Sequence, residues 1–173
     1  MLSFIDRLVA ARIGDTCNFY RDGAGAARRR ERLAAYLADR GDAPWLLVGE
    51  APGYRGARIS GLPFTSERQL TGSGPAEATA TIVQRVLAVL GVAEQVLLWN
   101  VVPTHPGTAT SNRAPTRSEI AAGRSFADEL ARGRRVVAVG RLAHGALGGD
   151  RVRHPSHGGA AAFEAGLRTL MST

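Results

Sequence analysis

Lysine is absent from the 173-residue chain, and cysteine occurs once, at Cys17. Without lysine the chain lacks the usual amine for a Schiff-base intermediate. A lone cysteine excludes an internal disulfide and any cluster or zinc site built from several thiolates, and it fits a reducing, cytoplasmic setting. Long apolar runs are missing too. The amino terminus "MLSFIDRLVAARIGD" is interrupted by Asp6, Arg7 and Arg12, unlike a signal peptide or a membrane span, so a soluble, unexported protein without membrane contact is expected. No internal repeat or low-complexity linker divides the chain. Its 45% hydrophobic content is enough for one core, and a single domain over residues 1–173 is expected, with residues 1–42 as a helical segment packed on the rest.

What the chain does have is arginine. The 22 basic residues are all arginines, set against 15 acidic residues for a formal charge of +7. A genome rich in G and C favours arginine codons, so the replacement of lysine carries no function of its own. The net charge attracts polyanions, nucleic acid first among them, although acidic lipid or ribosomal RNA would feel the same field. The run "RRRER" reads as a solvated helix face.

Apolar periodicity gives an alternating order of elements. "RRRERLAAYLADRG" is a helix with Leu33, Tyr36 and Leu37 on one face, stopped at Gly41, and "PWLLVGE" is a strand. "GPAEATATIVQRVLAVLG" is a helix that Pro75 opens and Gly91 closes. "QVLLWNVVP" is a second strand, followed by a loop long enough to attract functional interest. "PTRSEIAAGRSFADELARG" is a helix with Thr116 and Glu119 in capping-box spacing. "RRVVAVG" is a third strand, "RLAHGALGG" a short helix, "RVRH" a fourth strand and "GGAAAFEAGLRTLM" a last helix. Wholly apolar strands alternating with amphipathic helices specify an α/β fold, here a three-layer α/β/α sandwich around a central four-stranded parallel sheet. Ligands in such sheets bind beyond the carboxyl ends of the strands, where loops leave from Gly49, Asn100 and His154.

Those loops carry "GEAPG", then "GLPF", "WNVVP", "NRAPTRSE" and "HPS", in that order. Over residues 45 to 160 the chain resembles the uracil-DNA glycosylase superfamily. "GEAPG" and "NRAPT" are most similar to a bacterial and archaeal branch that usually carries an iron–sulfur cluster. That branch supplies four cysteines, one just after the "NVV" strand; this chain has Pro103 and Thr104 there. The resemblance therefore implies a cluster-free member with no metal and no cofactor, in which the segment around "CNFY" takes over the cluster's structural role.

The resemblance implies an enzyme that flips uracil, or another deaminated or damaged base, out of single- or double-stranded DNA. It hydrolyses the N-glycosidic bond and leaves an abasic site, working as a monomer in the bacterial cytoplasm and on the nucleoid. Glu50, Asn100 and His154 are the implied catalytic residues. Gly49, Ala51, Pro52, Gly53, Tyr54, Phe64 and Asn100 are the implied base pocket, and Ser66, Arg113, Pro155, Ser156, His157 and Gly158 the implied DNA contacts.

The chemistry of these side chains suits the roles, and each also has a plainer reading. Phe64 stacks on the base or is a core phenylalanine beside Leu62. The Asn100 amide offers an acceptor for N3–H and a donor for O4, the reverse of what cytosine needs, or it caps a loop. His154 donates to O2 as negative charge develops there, or is a strand-end residue satisfied by backbone. Glu50 positions water or stabilises a cationic sugar, or it pairs with Arg55 or Arg58. Pro155 and Ser156 form a turn that grips phosphate, and His157 plugs the vacated stack or the plug comes from elsewhere.

In the best-known branch an aspartate stands at the position of Ala51 and a thymine-excluding tyrosine at that of Gly53. Tyr54 fills the gap from the next position, or the pocket is wider. His105 is a candidate polar DNA contact, and His144 is structural. Two other readings stay open at this level: a nucleotide-processing hydrolase or transferase, and a DNA-binding module with little excision activity.

Overall fold

A computed structural model describes residues 3–172. Four parallel strands form the central sheet: β1 (Trp45–Gly49), β2 (Val96–Asn100), β5 (Arg135–Val139) and β6 (Asp150–Val152), in the order β2-β1-β5-β6. A second, two-stranded ribbon pairs β3 (Gly107–Thr108) with β4 (Ser111–Asn112) inside the long loop after Asn100.

The register explains why the strands are apolar throughout. Leu46 and Val48 of β1, Leu97 and Trp99 of β2, and Ala138 of β5 turn to one face of the sheet. There they pack with Leu8 of α1 (Phe4–Ala10), Leu33 of α2 (Ala26–Asp39), Phe126 of α6 (Arg117–Ala131) and Ala143 of α7 (Arg141–Leu147). Leu47, Leu98, Val137 and Val139 turn to the other face. They meet Val83, Val86 and Leu87 of α5 (Ala78–Leu90) and Phe163 and Leu167 of α8 (Ala160–Met171). With both faces covered, period-2 alternation cannot appear in the sequence, because both sets of side chains are core. Two short helices, α3 (Ala57–Ser60) and α4 (Glu67–Thr71), belong to the connection between β1 and β2.

The amino-terminal segment is packed on the sheet. The Phe4 ring meets Trp99 and Phe126 edge-on, each at 5.5 Å between centroids. Asn18 is buried, and its Nδ2 donates to Leu8 O at 2.8 Å and Ala11 O at 3.1 Å, closing the end of α1. Cys17 and His105 exchange backbone hydrogen bonds at 2.9 and 3.0 Å, so "CNFY" lies against the loop that follows β2.

The run "RRRER" is not a solvated face. Arg29 Nε donates to Phe19 O at 2.6 Å and Arg30 Nη1 to Tyr20 O at 2.7 Å, while Arg32 pairs with Glu67 at 2.7 Å. Three of its arginines tie α2 to the amino-terminal segment and to α4. Consecutive arginines give no periodic signal for this, because each guanidinium finds its partner far away in sequence. Among the described residues no helix is long and apolar enough to cross a membrane.

Candidate active site

Parallel pairing of Gly49 with Asn100 brings the ends of β1 and β2 side by side. The ladder runs on past the strands, Val101 N–H donating to Gly49 O at 2.9 Å and Val102 N–H to Glu50 O at 3.0 Å. Glu50 thus leaves a fixed backbone. His154 follows β6 by two residues. Glu50, Asn100, His154 and Phe64 line a single cavity of about 300 Å³, together with Ala51, Pro52 and Gly53. The structure thus brings residues from three separate strand ends to one cavity.

Asn100 is 4% exposed, and its amide has no hydrogen-bond partner among the described residues. A buried amide without partners is costly unless water or a ligand supplies them, and this one borders the cavity. The loop-capping alternative is not what the geometry contains.

Phe64 has φ 50°, a left-handed conformation that is strained for a bulky residue and costs on the order of 1–3 kcal/mol. Gln84 of α5 holds it there, its Nε2 donating to Phe64 O at 3.1 Å and to Thr65 Oγ1 at 3.0 Å. The ring packs against the α5–α8 core on one side and borders the cavity on the other, while Leu62 packs against the opposite face of the sheet. Gly49 is what permits this: a Cβ there would lie 2.3 Å from Phe64 Cζ and 2.9 Å from Asn100 Oδ1. The glycine clears room for the ring and the amide.

His154 Nδ1 accepts from the Ser156 backbone N–H at 3.1 Å and lies 2.7 Å from Ser156 Oγ. An accepting Nδ1 puts the proton of the neutral ring on Nε2, which has no partner among the described residues. Burial, and secondarily His157, lower the His154 pKa below its usual 6.5. At neutral pH the ring is an uncharged donor beside the cavity.

Glu50 has neither ion pair nor hydrogen bond from its carboxyl among the described residues, so the alternative of pairing with Arg55 or Arg58 does not hold. Burial raises its pKa above 4.5. A second carboxyl in the cavity, Glu77, has its pKa raised by burial, against which His105 pulls it down.

The expected DNA contacts divide. Ser156 and Arg113 border the cavity, and His157 and Gly158 are exposed at the tip of the "HPS" loop, His157 with φ 51°. Arg113 is also half of a two-toothed ion pair with Glu119, at 2.7 and 2.8 Å. Pro155 is buried and shapes the turn. Ser66 is fully buried, its Oγ accepting from Glu77 N–H at 2.9 Å, which removes it from any phosphate.

Tyr54 does not border the cavity; its backbone N–H donates to Asn112 Oδ1 at 2.9 Å. His105 is fully buried, Nδ1 at 2.7 Å from Pro52 O and Nε2 at 2.9 Å from Thr108 O, so it clamps the β1 loop to the ribbon instead of meeting DNA.

Sequence reasoning missed Glu77, Gln84 and three exposed arginines, Arg141, Arg151 and Arg153. The arginines flank a groove that shares His154 and Ser156 with the cavity, and none has an ion pair among the described residues. In "RVRH", strand alternation already sets Arg151 and Arg153 on one side; Glu77 and Gln84 had no local signal. Among the described residues no group of three or more His, Cys, Asp or Glu is placed to hold a metal ion.

The model of the uracil DNA glycosylase superfamily matches residues 36–169, and the chain belongs to that superfamily. Its class is therefore that of a DNA glycosylase. Among solved structures, the chain is similar to wild-type SMUG2 of Pedobacter heparinus, at 15% sequence identity, a TM-score of 0.64 and full coverage of both chains. That likeness is one of fold. No curated protein matches the sequence.

Proposed function

We propose that the protein excises uracil from DNA by accommodating the flipped base in the cavity that Glu50, Phe64, Asn100 and His154 share. The observation that carries this reading is the unpartnered, nearly buried amide of Asn100. Its donor and acceptor meet O4 and N3–H of uracil, and the same pair opposes cytosine at both positions.

The reaction needs the C1′–N1 bond to break with its electron pair going to the base. The base leaves as an anion with charge on O2, and the sugar becomes oxocarbenium-like. His154, neutral and with its proton on Nε2, donates to O2 as that charge grows. Glu50 faces the sugar side, where its carboxylate stabilises the cation and orients water; the water's hydroxide bonds to C1′ and its proton ends on the base. Phe64 stacks on the ring, and the strained loop that holds it is fixed by Gln84 before any base arrives. DNA phosphates follow the groove of Arg141, Arg151 and Arg153 past Ser156.

The test incubates the protein with single- and double-stranded oligonucleotides bearing uracil, hypoxanthine, xanthine or a thymine mismatch, then cleaves abasic sites with alkali. Strand breaks at uracil are expected. Asn100→Ala and His154→Ala each lower the single-turnover rate by about 100-fold or more. No cleavage of any substrate, or wild-type rates in both variants, overturns the assignment.

A further inference from the structure

Glu77 lines the same cavity as Asn100 and His154, and nothing in the superfamily resemblance assigns this residue. Glu77 precedes α5 and occupies the helix's N-cap position, yet its carboxyl makes no capping hydrogen bond to that helix. Instead it lies over the glycines of the β1 loop. A Cβ on Gly53 would fall 2.4 Å from Glu77 Oε2, and one on Gly56 would fall 1.9 Å from the same oxygen. Glu77 thus fills the volume that a side chain at position 53 would occupy. Its backbone is fixed from behind by the buried Ser66, which accepts the Glu77 N–H at 2.9 Å.

We infer that Glu77 is a specificity-determining residue, whose carboxyl faces the C5 edge of the flipped pyrimidine and rejects a methyl group there. The inference rests on the proposed uracil pose. With O2 at His154, N3 and O4 at Asn100 and N1 toward Glu50, the ring has one edge left, C5–C6. Among the other residues lining the cavity, Glu77 carries an unpaired carboxyl and stands beside Gly53.

Glu77's carboxyl oxygens have no partner among the described residues, so their hydrogen bonds must come from water or a bound ligand. A methyl group at C5 displaces that water and returns no hydrogen bond, leaving the carboxyl unsatisfied. A C5–H leaves the water in place, and a hydroxymethyl group replaces it with an O–H donor. Exclusion of thymine here works by polarity, where an aromatic ring at position 53 would work by bulk.

The test measures kcat/KM on duplexes carrying uracil, thymine or 5-hydroxymethyluracil at one site, for the wild type, Glu77→Gln and Glu77→Ala. The wild type is expected to prefer hydroxymethyl over methyl despite its larger size. Glu77→Ala is expected to raise the thymine-to-uracil ratio by about tenfold or more, the scale of one methyl group in a pocket. Glu77→Gln, which keeps the shape and can still accept a hydrogen bond, keeps hydroxymethyl ahead of methyl. An unchanged thymine-to-uracil ratio in Glu77→Ala overturns the inference, as does a wild type that takes methyl before hydroxymethyl.

If the wild type excises none of the three, the uracil reading itself has failed. The role of Glu77 is then read from binding of duplexes with uncleavable 2′-fluoro analogues of the same nucleotides. Equal methyl discrimination in wild type and Glu77→Ala overturns it there as well.

Discussion

Glu50 carries a carboxyl that no cation among the described residues pairs with. It is half-buried, and burial raises its pKa above 4.5. For an acid, a raised folded-state pKa means that ionisation costs stability; the penalty is absent below pH 4.5 and grows as pH rises through that value. Glu50→Gln is therefore expected to raise the melting temperature at pH 7 while excision falls by orders of magnitude, the exchange of stability for function that active sites make. The gain should vanish when both proteins are melted near pH 4. A matching consequence is an acidic limb of the pH–rate profile lying above pH 4.5, read by single-turnover kinetics. Phe64 tells the same story through its backbone, since a strained φ survives only where neighbours over-determine it, and Gln84 is that neighbour.

At the scale of elements, the start of α6 joins stability to the site. Thr116 and Glu119 form the capping box that their spacing implies, and the Glu119 carboxylate also accepts from Asp15 N–H at 3.3 Å and binds Arg113. Glu119 is 2% exposed, and its pKa is lowered to about 2, chiefly by the Arg113 hydrogen bonds. A lowered folded-state pKa contributes stability that is complete above the unfolded value of 4.5 and is lost as pH falls toward 2. Acid titration of the wild type is expected to show this loss, and Glu119→Gln should flatten the stability curve over that range. Local rules sufficed for the capping box because its partners are three residues apart. They failed for "RRRER", whose partners are up to 35 residues away, and for Tyr54, since the space beside Gly53 is occupied by Glu77 from another element.

The whole molecule presents its excess of arginine unevenly. Many guanidiniums are committed internally, as at Arg29, Arg30, Arg32 and Arg134. Arg141, Arg151 and Arg153 remain exposed beside the cavity, so the net charge of +7 overstates a general stickiness and understates one groove. Binding to uracil-free DNA is expected to fall steeply between low and moderate salt. Arg151→Ala and Arg153→Ala should each reduce the slope of log K against log salt by about 1, with little change in thermal stability. A flat wild-type response would rule DNA out as the polyanion for this groove.

The sequence by itself determined the layers, because apolar strands and amphipathic helices have only one way to bury both faces of a sheet. It also determined which residues stand at the strand ends, because the motifs fall where periodicity stops. Only the tertiary structure decided what those residues are free to do. Hydrogen-bond commitment is a property of neighbours: among the described residues Asn100, Glu50 and the Nε2 of His154 have no partners, Ser66 and His105 are used up inside the fold, and Glu77 arrives in the pocket from a helix start that no motif marks.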